Sequence, residues 1–344
     1  MRADGFAPGP RNLISDVAGI RVGQAEDTKA RSGVTVIVPT TRAVAAVDVR
    51  GGGPGTRETD ALAADCLVDA VDAIVLSGGS VYGLEAASGV TAWLGARGRG
   101  FSFPSTPFVA PVVPQAILFD LSNGGDKDWG EMPPYRALGG AAVAAASETF
   151  HLGNAGAGLG ARAGALKGGL GSASMMTPHG IGVGALAASN PFGSVVMPGS
   201  ARFWAAPFEK LSELGDQTRI AAPASLPDDP YTDTKIGASP GMNTTIGVVA
   251  TDAALTPAET RRLAMMAQDG YARAIRPVHT PFDGDVVFAL ATGAHPVPHD
   301  MPRPAMVAVL GALAADTLAR AVARGVYEAE TLGDAPGYRQ RFSG

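Results

Sequence analysis

GASPGMNTTIGVVATD occupies residues 237–252, and its reading decides the fold. Turn-formers up to Met242 give way without a break to Thr244 and Thr245, then to an apolar run from Ile246. Glycine and proline followed by β-branched residues predict an exposed loop that enters a buried strand. Threonines at such a point have an ordinary role as good strand residues. They also have a chemical one: scission between Asn243 and Thr244 would leave a hydroxyl and an α-amine on adjacent carbons of Thr244. An amine with an ordinary pKa of about 8 accepts protons near neutrality, so one residue would supply nucleophile and base. For the cut itself, the Thr244 hydroxyl must attack the Asn243 carbonyl and water must open the resulting ester. A strand that fixes the nucleophile, beside a loop end that moves away, suits this step.

Outward from the junction, 33–39 and 43–52 read as two strands joined in a hairpin by the TTR turn. Helical spacing covers 56–71, a buried strand 72–80, a helix 83–98, apolar strands 108–121 and a small-residue helix 134–148. Residues 153–176 are glycine-dense, 180–193 alternate as a strand ending at a turn, and 194–242 hold scattered apolar anchors and a run, 224–242, that reads as a long exposed loop. Beyond the junction strand, Thr256 caps a helix with Pro257 at its first position and Glu259 completing the capping box. A strand at 283–293 and a long apolar-striped helix at 306–326 follow. Strands and helices mixed in this order, with hairpin-like joins, favour α+β layers over a doubly wound sheet.

Composition narrows the functional classes. The 344 residues are 46% hydrophobic, enough for a substantial core in one large domain. A net charge of -5 without a Lys/Arg block offers no field for nucleic acid. The sequence shows no secretory signal and no membrane span, so cytoplasmic residence is expected. Cys66 alone excludes an internal disulfide or cysteine cluster, and its apolar neighbourhood predicts a buried small side chain.

Other groups carry competing readings. Asn190 before Pro191 suits an Asx turn. Asp283 and Asp285 flank Gly284: on an extended strand their carboxylates share a face, and in a hairpin turn they do not. No calcium-loop spacing follows them. His151, His179, His279, His295 and His299 lack an HExxH arrangement, and prolines around the last two oppose a helix, so no metal is assigned. SGGSVYG (77–83) matches neither GxGxxG nor a lysine-containing phosphate loop, so no nucleotide cofactor is assigned.

Seven blocks in one order carry a resemblance: NLISDVAGIRVGQ (12–24), GGGPGTRETDAL (51–62), LSGGSVYGLEAASGV (76–90), AGAGLGARAGALKGG (155–169), SNPFG (189–193), NTTIGVVATD (243–252) and HTPFDGDVVFALATG (279–293). They resemble the self-processing L-aminopeptidase/D-esterase family, which includes β-peptidyl aminopeptidases and nylon-oligomer hydrolases. The resemblance implies a single catalytic domain with a four-layer αββα sandwich, similar to N-terminal nucleophile hydrolases but differently connected. It implies self-cleavage into an α chain, 1–243, and a β chain, 244–344, which stay together and assemble as homotetramers.

The same resemblance gives residues their roles. Thr244, rather than Thr245, is the nucleophile, and the Asn190 side-chain NH2 points at the oxyanion. Lys167 lies close to the threonine, where it could hold the hydroxyl or lower the amine's proton affinity. Asp283 and Asp285 orient the new amine, and Ser80 and Tyr82 belong to the cavity wall. Phe119 stands where relatives can carry a tyrosine donor, and Gln115 where the β-aminopeptidases place a glutamate for a substrate ammonium. The first removes a donor near the reacting centre, and the second favours an amidase within the implied class, an amide hydrolase or aminopeptidase acting on small peptides, amides or esters through an acyl-enzyme, without a cofactor. An amino-acid acyltransferase using the same acyl-threonine, as the similarly built ornithine acetyltransferases do, and a non-catalytic scaffold are the alternatives.

Overall fold

Alternation along the strand Thr244–Ala253 sets the architecture. Ile246, Val248 and Ala250 join one apolar cluster, whereas Val249 and Ala253 join another. The neighbouring strand Val286–His295 repeats the split, with Val286, Phe288 and Leu290 on one side and Val287, Ala289 and Ala291 on the other. Strands apolar on both faces belong to a sheet covered on both faces. The computed structural model describes residues 5–235, 243–298 and 301–342; the end of the expected long loop, 236–242, and His299 lie outside the described residues.

The sheet containing these strands runs in the order Gly169–Met176, Gly182–Asn190, Thr244–Ala253, Val286–His295, Ala43–Val49, Ala70–Val71. On its inner face lies a five-stranded sheet in the order Ile20–Asp27, Ser32–Pro39, Ile74–Ser77, Gln115–Ile117, Thr56–Arg57. Helices Pro257–Ala267, Asp269–Ala274 and Arg303–Glu328 cover the outer face of the six-stranded sheet. Ala86–Gly95 and Tyr135–Ala144 cover the five-stranded one, where Val34, Val36 and Val38 meet Ala87, Val90 and Tyr135. Three apolar clusters between four layers give the αββα sandwich that the resemblance implies.

Local signals hold where they are self-contained. Thr256 accepts the Glu259 N–H at 3.3 Å, the Glu259 carboxylate accepts the Thr256 N–H at 2.9 Å, and the helix starts at Pro257. Gly79, at φ 87°, makes the turn that leads from strand Ile74–Ser77 into the 3-10 segment Ser80–Glu85.

Several expectations need correction. Strands Ser32–Pro39 and Ala43–Val49 do not form a hairpin, because the chain passes from one sheet to the other between them. The expected helix at 56–71 is a 3-10 turn, Asp60–Leu62, between two-residue strands. Leu62 and Val71 reach the core between the sheets, but Leu67 is 89% exposed, and Cys66 is exposed rather than buried. The glycine-dense region contains an unforeseen buried strand, Gly169–Met176. Within 194–220, by contrast, the expected apolar anchors are in place. Phe203 and Leu214 are fully buried, and Glu213 meets the buried Arg320 guanidinium at 2.5 and 2.9 Å.

Arg303–Glu328 is long and apolar enough to cross a membrane by length and composition alone. Two-thirds of its most apolar window is buried, with Leu310, Ala314, Leu318 and Val322 packed in the outer core. That packing is the habit of a core helix.

Candidate active site

Register fixes the geometry of the junction. Asn190, the last residue of its strand, pairs across the antiparallel ladder with Thr244, the first residue of the next, and Ser189 pairs with Thr245. Paired residues point to the same face. The Ser189 hydroxyl donates to Val322 O in the helical layer at 3.2 Å, so that pair faces outward. Asn190 reaches Phe119 O at 3.1 Å, so Asn190 and Thr244 face inward. Alternation therefore separates the two threonines and gives the inner face to Thr244.

Thr244 is buried, and its hydroxyl donates to the carbonyl oxygen of Asn243, the residue before it. That carbonyl also accepts the Gly284 N–H at 2.8 Å, through a short parallel bridge between Asn243 and Asp283. Only glycine fits at 284: a Cβ there would lie 2.8 Å from Thr244 Oγ1 and 2.6 Å from Gly53 O. The carbonyl of the junction bond is thus held by one backbone donor with the candidate nucleophile alongside.

Asp283 and Asp285 form the floor of this arrangement rather than touching the Thr244 hydroxyl. They precede the strand Val286–His295 instead of lying within it. Asp285 accepts the Thr245 N–H at 2.7 Å and, on its other oxygen, the His279 N–H at 3.2 Å, with His279 Nδ1 at 2.9 Å. Asp283 accepts the Phe192 N–H at 2.9 Å and binds the Thr280 N–H and hydroxyl at 3.0 and 2.5 Å. Burial, followed by the neighbouring Asp285 charge, raises the Asp283 carboxyl above its ordinary range.

A cavity of about 380 Å³ opens on the other side of the junction, lined by Phe119, Asp120, Lys167, Asn190, Lys235 and Asn243 among others. Asn190 is oriented by its partners. Its Oδ1 accepts the Arg162 N–H at 2.9 Å and the Lys235 ammonium at 3.0 Å, which turns the NH2 group toward Phe119 O. One N–H is used there, and the second has no recorded acceptor among the described residues. Lys167 is only 1% exposed and donates to Gly158 O at 3.1 Å and Gly168 O at 2.7 Å. Burial lowers its pKa to about 7, against the opposing pull of Asp120. A solvated surface role for this lysine is excluded.

Two cavity residues escaped the sequence reading. Asp120 accepts the Gly79 N–H at 2.8 Å, and burial pushes its carboxyl upward against Ser32, Lys127, that N–H and Lys167. Lys235 is lowered to about 7 by burial first, with Asp283 pulling it back up. Its only advance signal was a lone lysine eight residues before the junction.

Other candidates lie apart from the cavity lining. Gln115 is fully buried and spends its amide on Gly83 O at 2.6 Å and the Ala87 N–H at 3.1 Å, fixing the start of a helix. Ser80 has a positive φ of 51° in the turn after Gly79, and its N–H donates to Leu118 O at 2.9 Å. Tyr82 is 47% exposed and packs edge-on against Trp129. Among the described residues no cluster of His, Cys, Asp and Glu could hold a metal.

The sequence pattern of peptidase family S58 matches residues 12–339. An uncharacterized aminopeptidase of Mycobacterium tuberculosis is 47% identical over 97% of this chain and 98% of its own. A 6-aminohexanoate-oligomer endohydrolase of Agromyces is 29% identical over 83% of this chain and 76% of its own. The solved L-aminopeptidase D-Ala-esterase/amidase of Ochrobactrum anthropi superposes with a TM-score of 0.69 at 23% identity, covering 96% of this chain and 90% of that one. That likeness shows the fold: a sandwich of open sheets of the N-terminal nucleophile hydrolase type.

Proposed function

The chain belongs to peptidase family S58 and is a self-processing hydrolase of amide and peptide bonds, and on that premise we propose how its own residues do both reactions. Processing comes first. The Thr244 hydroxyl attacks the Asn243 carbonyl carbon, the C–N bond breaks, and the proton lost by oxygen ends on the departing nitrogen. An ester now joins Asn243 to Thr244 Oγ1, and water hydrolyses it to a carboxylate and a free hydroxyl. Charge developing on the Asn243 oxygen meets the Gly284 N–H, already 2.8 Å away.

Turnover then uses the liberated α-amine as base. It takes the Oγ1 proton, the oxygen attacks the substrate carbonyl, and the unused N–H of Asn190 receives the oxyanion. The proton passes to the leaving amine, and water cleaves the acyl-threonine. Lys167 supplies positive potential to the cavity wall, while Asp283 and Asp285 hold the backbone around the new N-terminus. The single observation that carries this reading is the contact of the Thr244 hydroxyl with the carbonyl of its own junction bond.

The substrates proposed are small peptides, amides and esters. The fragments 1–243 and 244–344 remain together because Thr244–Ala253 is an inner strand of the six-stranded sheet, paired on both sides. Homotetrameric assembly and cytoplasmic residence complete the proposal, and sedimentation and cell fractionation address them.

Denaturing intact-mass measurement tests the core of it. The parent protein should give two masses split between Asn243 and Thr244, and Thr244→Ala should give one uncut mass with no turnover. Cleavage at that bond in the alanine variant would overturn the mechanism. Identifying the products formed with and without an added amino acid separates hydrolysis from acyl transfer.

A further inference from the structure

Two ammonium groups face the cavity with uncharged oxygens as their hydrogen-bond partners. Lys235 Nζ lies 3.0 Å from both the backbone and side-chain oxygens of Asn190, and Lys167 Nζ binds the carbonyls of Gly158 and Gly168. The nearby acids are occupied. Both oxygens of Asp283 and of Asp285 already take donors, from Phe192 and Thr280 on one and from Thr245 and His279 on the other. Asp334, at the cavity mouth, pairs with Arg162 at 3.1 Å. Asp120, in the same wall near Lys167, is the exception: one oxygen accepts the Gly79 N–H, the other has no partner among the described residues, and burial raises its pKa. Holding two cations in such a wall without paired carboxylates is costly, and both lysines are correspondingly pulled down to about 7. An anion brought in by a ligand would remove that cost. An incoming ammonium has the opposite problem, since it would meet Lys167, Lys235 and Arg162 in the same lining.

We infer that the cavity selects amides whose acyl part ends in a carboxylate, with Lys235 as the specificity-determining cation; this deepens the proposed hydrolase reading and rests on it. The chain length follows from geometry. Lys235 touches one end of the Asn190 carboxamide, whose other end receives the oxyanion, so the ammonium stands within roughly 8 Å of the reacting oxygen. An acyl group with two or three methylenes between its carbonyl and its carboxylate spans that distance. Lys235 itself is held in place: its N–H donates to Phe192 O at 3.0 Å, and Phe192 packs edge-on against Tyr231.

Two measurements test this separately from the proposed reaction. The first is binding to the uncut Thr244→Ala protein, with succinamate and its neutral isostere succinamide as probes. Succinamate should bind about tenfold or more tightly, with proton uptake at pH 7.5 seen as a buffer-dependent heat. Lys235→Met in that background should erase the preference, and Lys235→Arg should keep it. The second is kcat/KM of the processed enzyme on succinyl-, butyryl- and β-alanyl-p-nitroanilide, acyl groups of one length ending in carboxylate, methyl and ammonium. The succinyl compound should lead, and Lys235→Met should lower the succinyl-to-butyryl ratio about tenfold. Equal binding of the two probes, a faster butyryl or β-alanyl compound, or a ratio unmoved by Lys235→Met overturns the inference. Preferential succinamate binding without turnover of any anilide breaks the proposed reaction and upholds the cavity's selectivity. Turnover without preference breaks the selectivity alone.

Discussion

The two sides of the Asn243–Thr244 bond are built on opposite principles. On the floor side, the Asp283 and Asp285 carboxylates are filled by backbone and side-chain donors, and the Asn243 carbonyl receives the Gly284 N–H. On the cavity side, Lys167, Lys235 and Asp120 are held away from their ordinary protonation behaviour around open volume. A saturated hydrogen-bond network fixes position, whereas strained ionisable groups respond to what enters. On the proposed mechanism, the difference assigns to the floor the positioning of the Asn243–Thr244 bond and to the cavity the binding of substrate afterwards.

Asn190→Ala attacks the cavity side most directly. Turnover should fall about 10²–10³-fold, since one oxyanion donor of this kind contributes that much. Stability should also drop by about 1–3 kcal/mol, because the Arg162 N–H and Phe119 O lose a buried partner. Steady-state kinetics and denaturant unfolding read the two separately; an unchanged kcat would remove Asn190 from the chemistry.

Asp285→Asn probes the floor. It keeps the shape but replaces a charged acceptor of the Thr245 and His279 N–H groups, which should cost about 1–3 kcal/mol and slow processing. The rate of appearance of the two fragments after synthesis is the measurement. Processing at the parent rate with intact stability would show that the floor does not need this charge.

A smaller, signed effect distinguishes the cavity. Lys167 has a folded pKa of about 7, below its unfolded value of 10.5, so the unfolded chain binds more protons between those limits. The burial penalty is therefore fully present below pH 7 and is relieved as pH rises toward 10.5. Stability of the parent relative to Lys167→Met should improve between pH 6.5 and pH 9 by thermal melting. A constant difference would contradict the lowered pKa. The smallest effect is expected far from both sides: a thiol reagent should modify exposed Cys66 in the folded protein with no loss of activity.

Legibility in the sequence followed locality. The cap of Thr256, Pro257 and Glu259 needs only four neighbouring residues, and it formed as read. The junction strand was legible because its apolar run is continuous from Ile246. The false hairpin between Ser32–Pro39 and Ala43–Val49 failed because a short turn says nothing about which sheet each strand joins. Cys66 misled because its neighbours are apolar in sequence while Leu67 beside it points to solvent. In the site, Asn190 and Lys167 were found through motif blocks, and the structure adds their burial and partners. Lys235 and Asp120 could not be found that way. Their meaning depends on what they face across the fold, namely Asn190 for one and the Gly79 turn for the other.

The placement of Thr244–Ala253 inside a six-stranded sheet has a consequence for the life of the molecule. Before the cut, assembly of that sheet is a first-order event within one polypeptide. After the proposed cut before Thr244, complete denaturation would release two pieces that must meet again, so renaturation would become second order and fail on dilution.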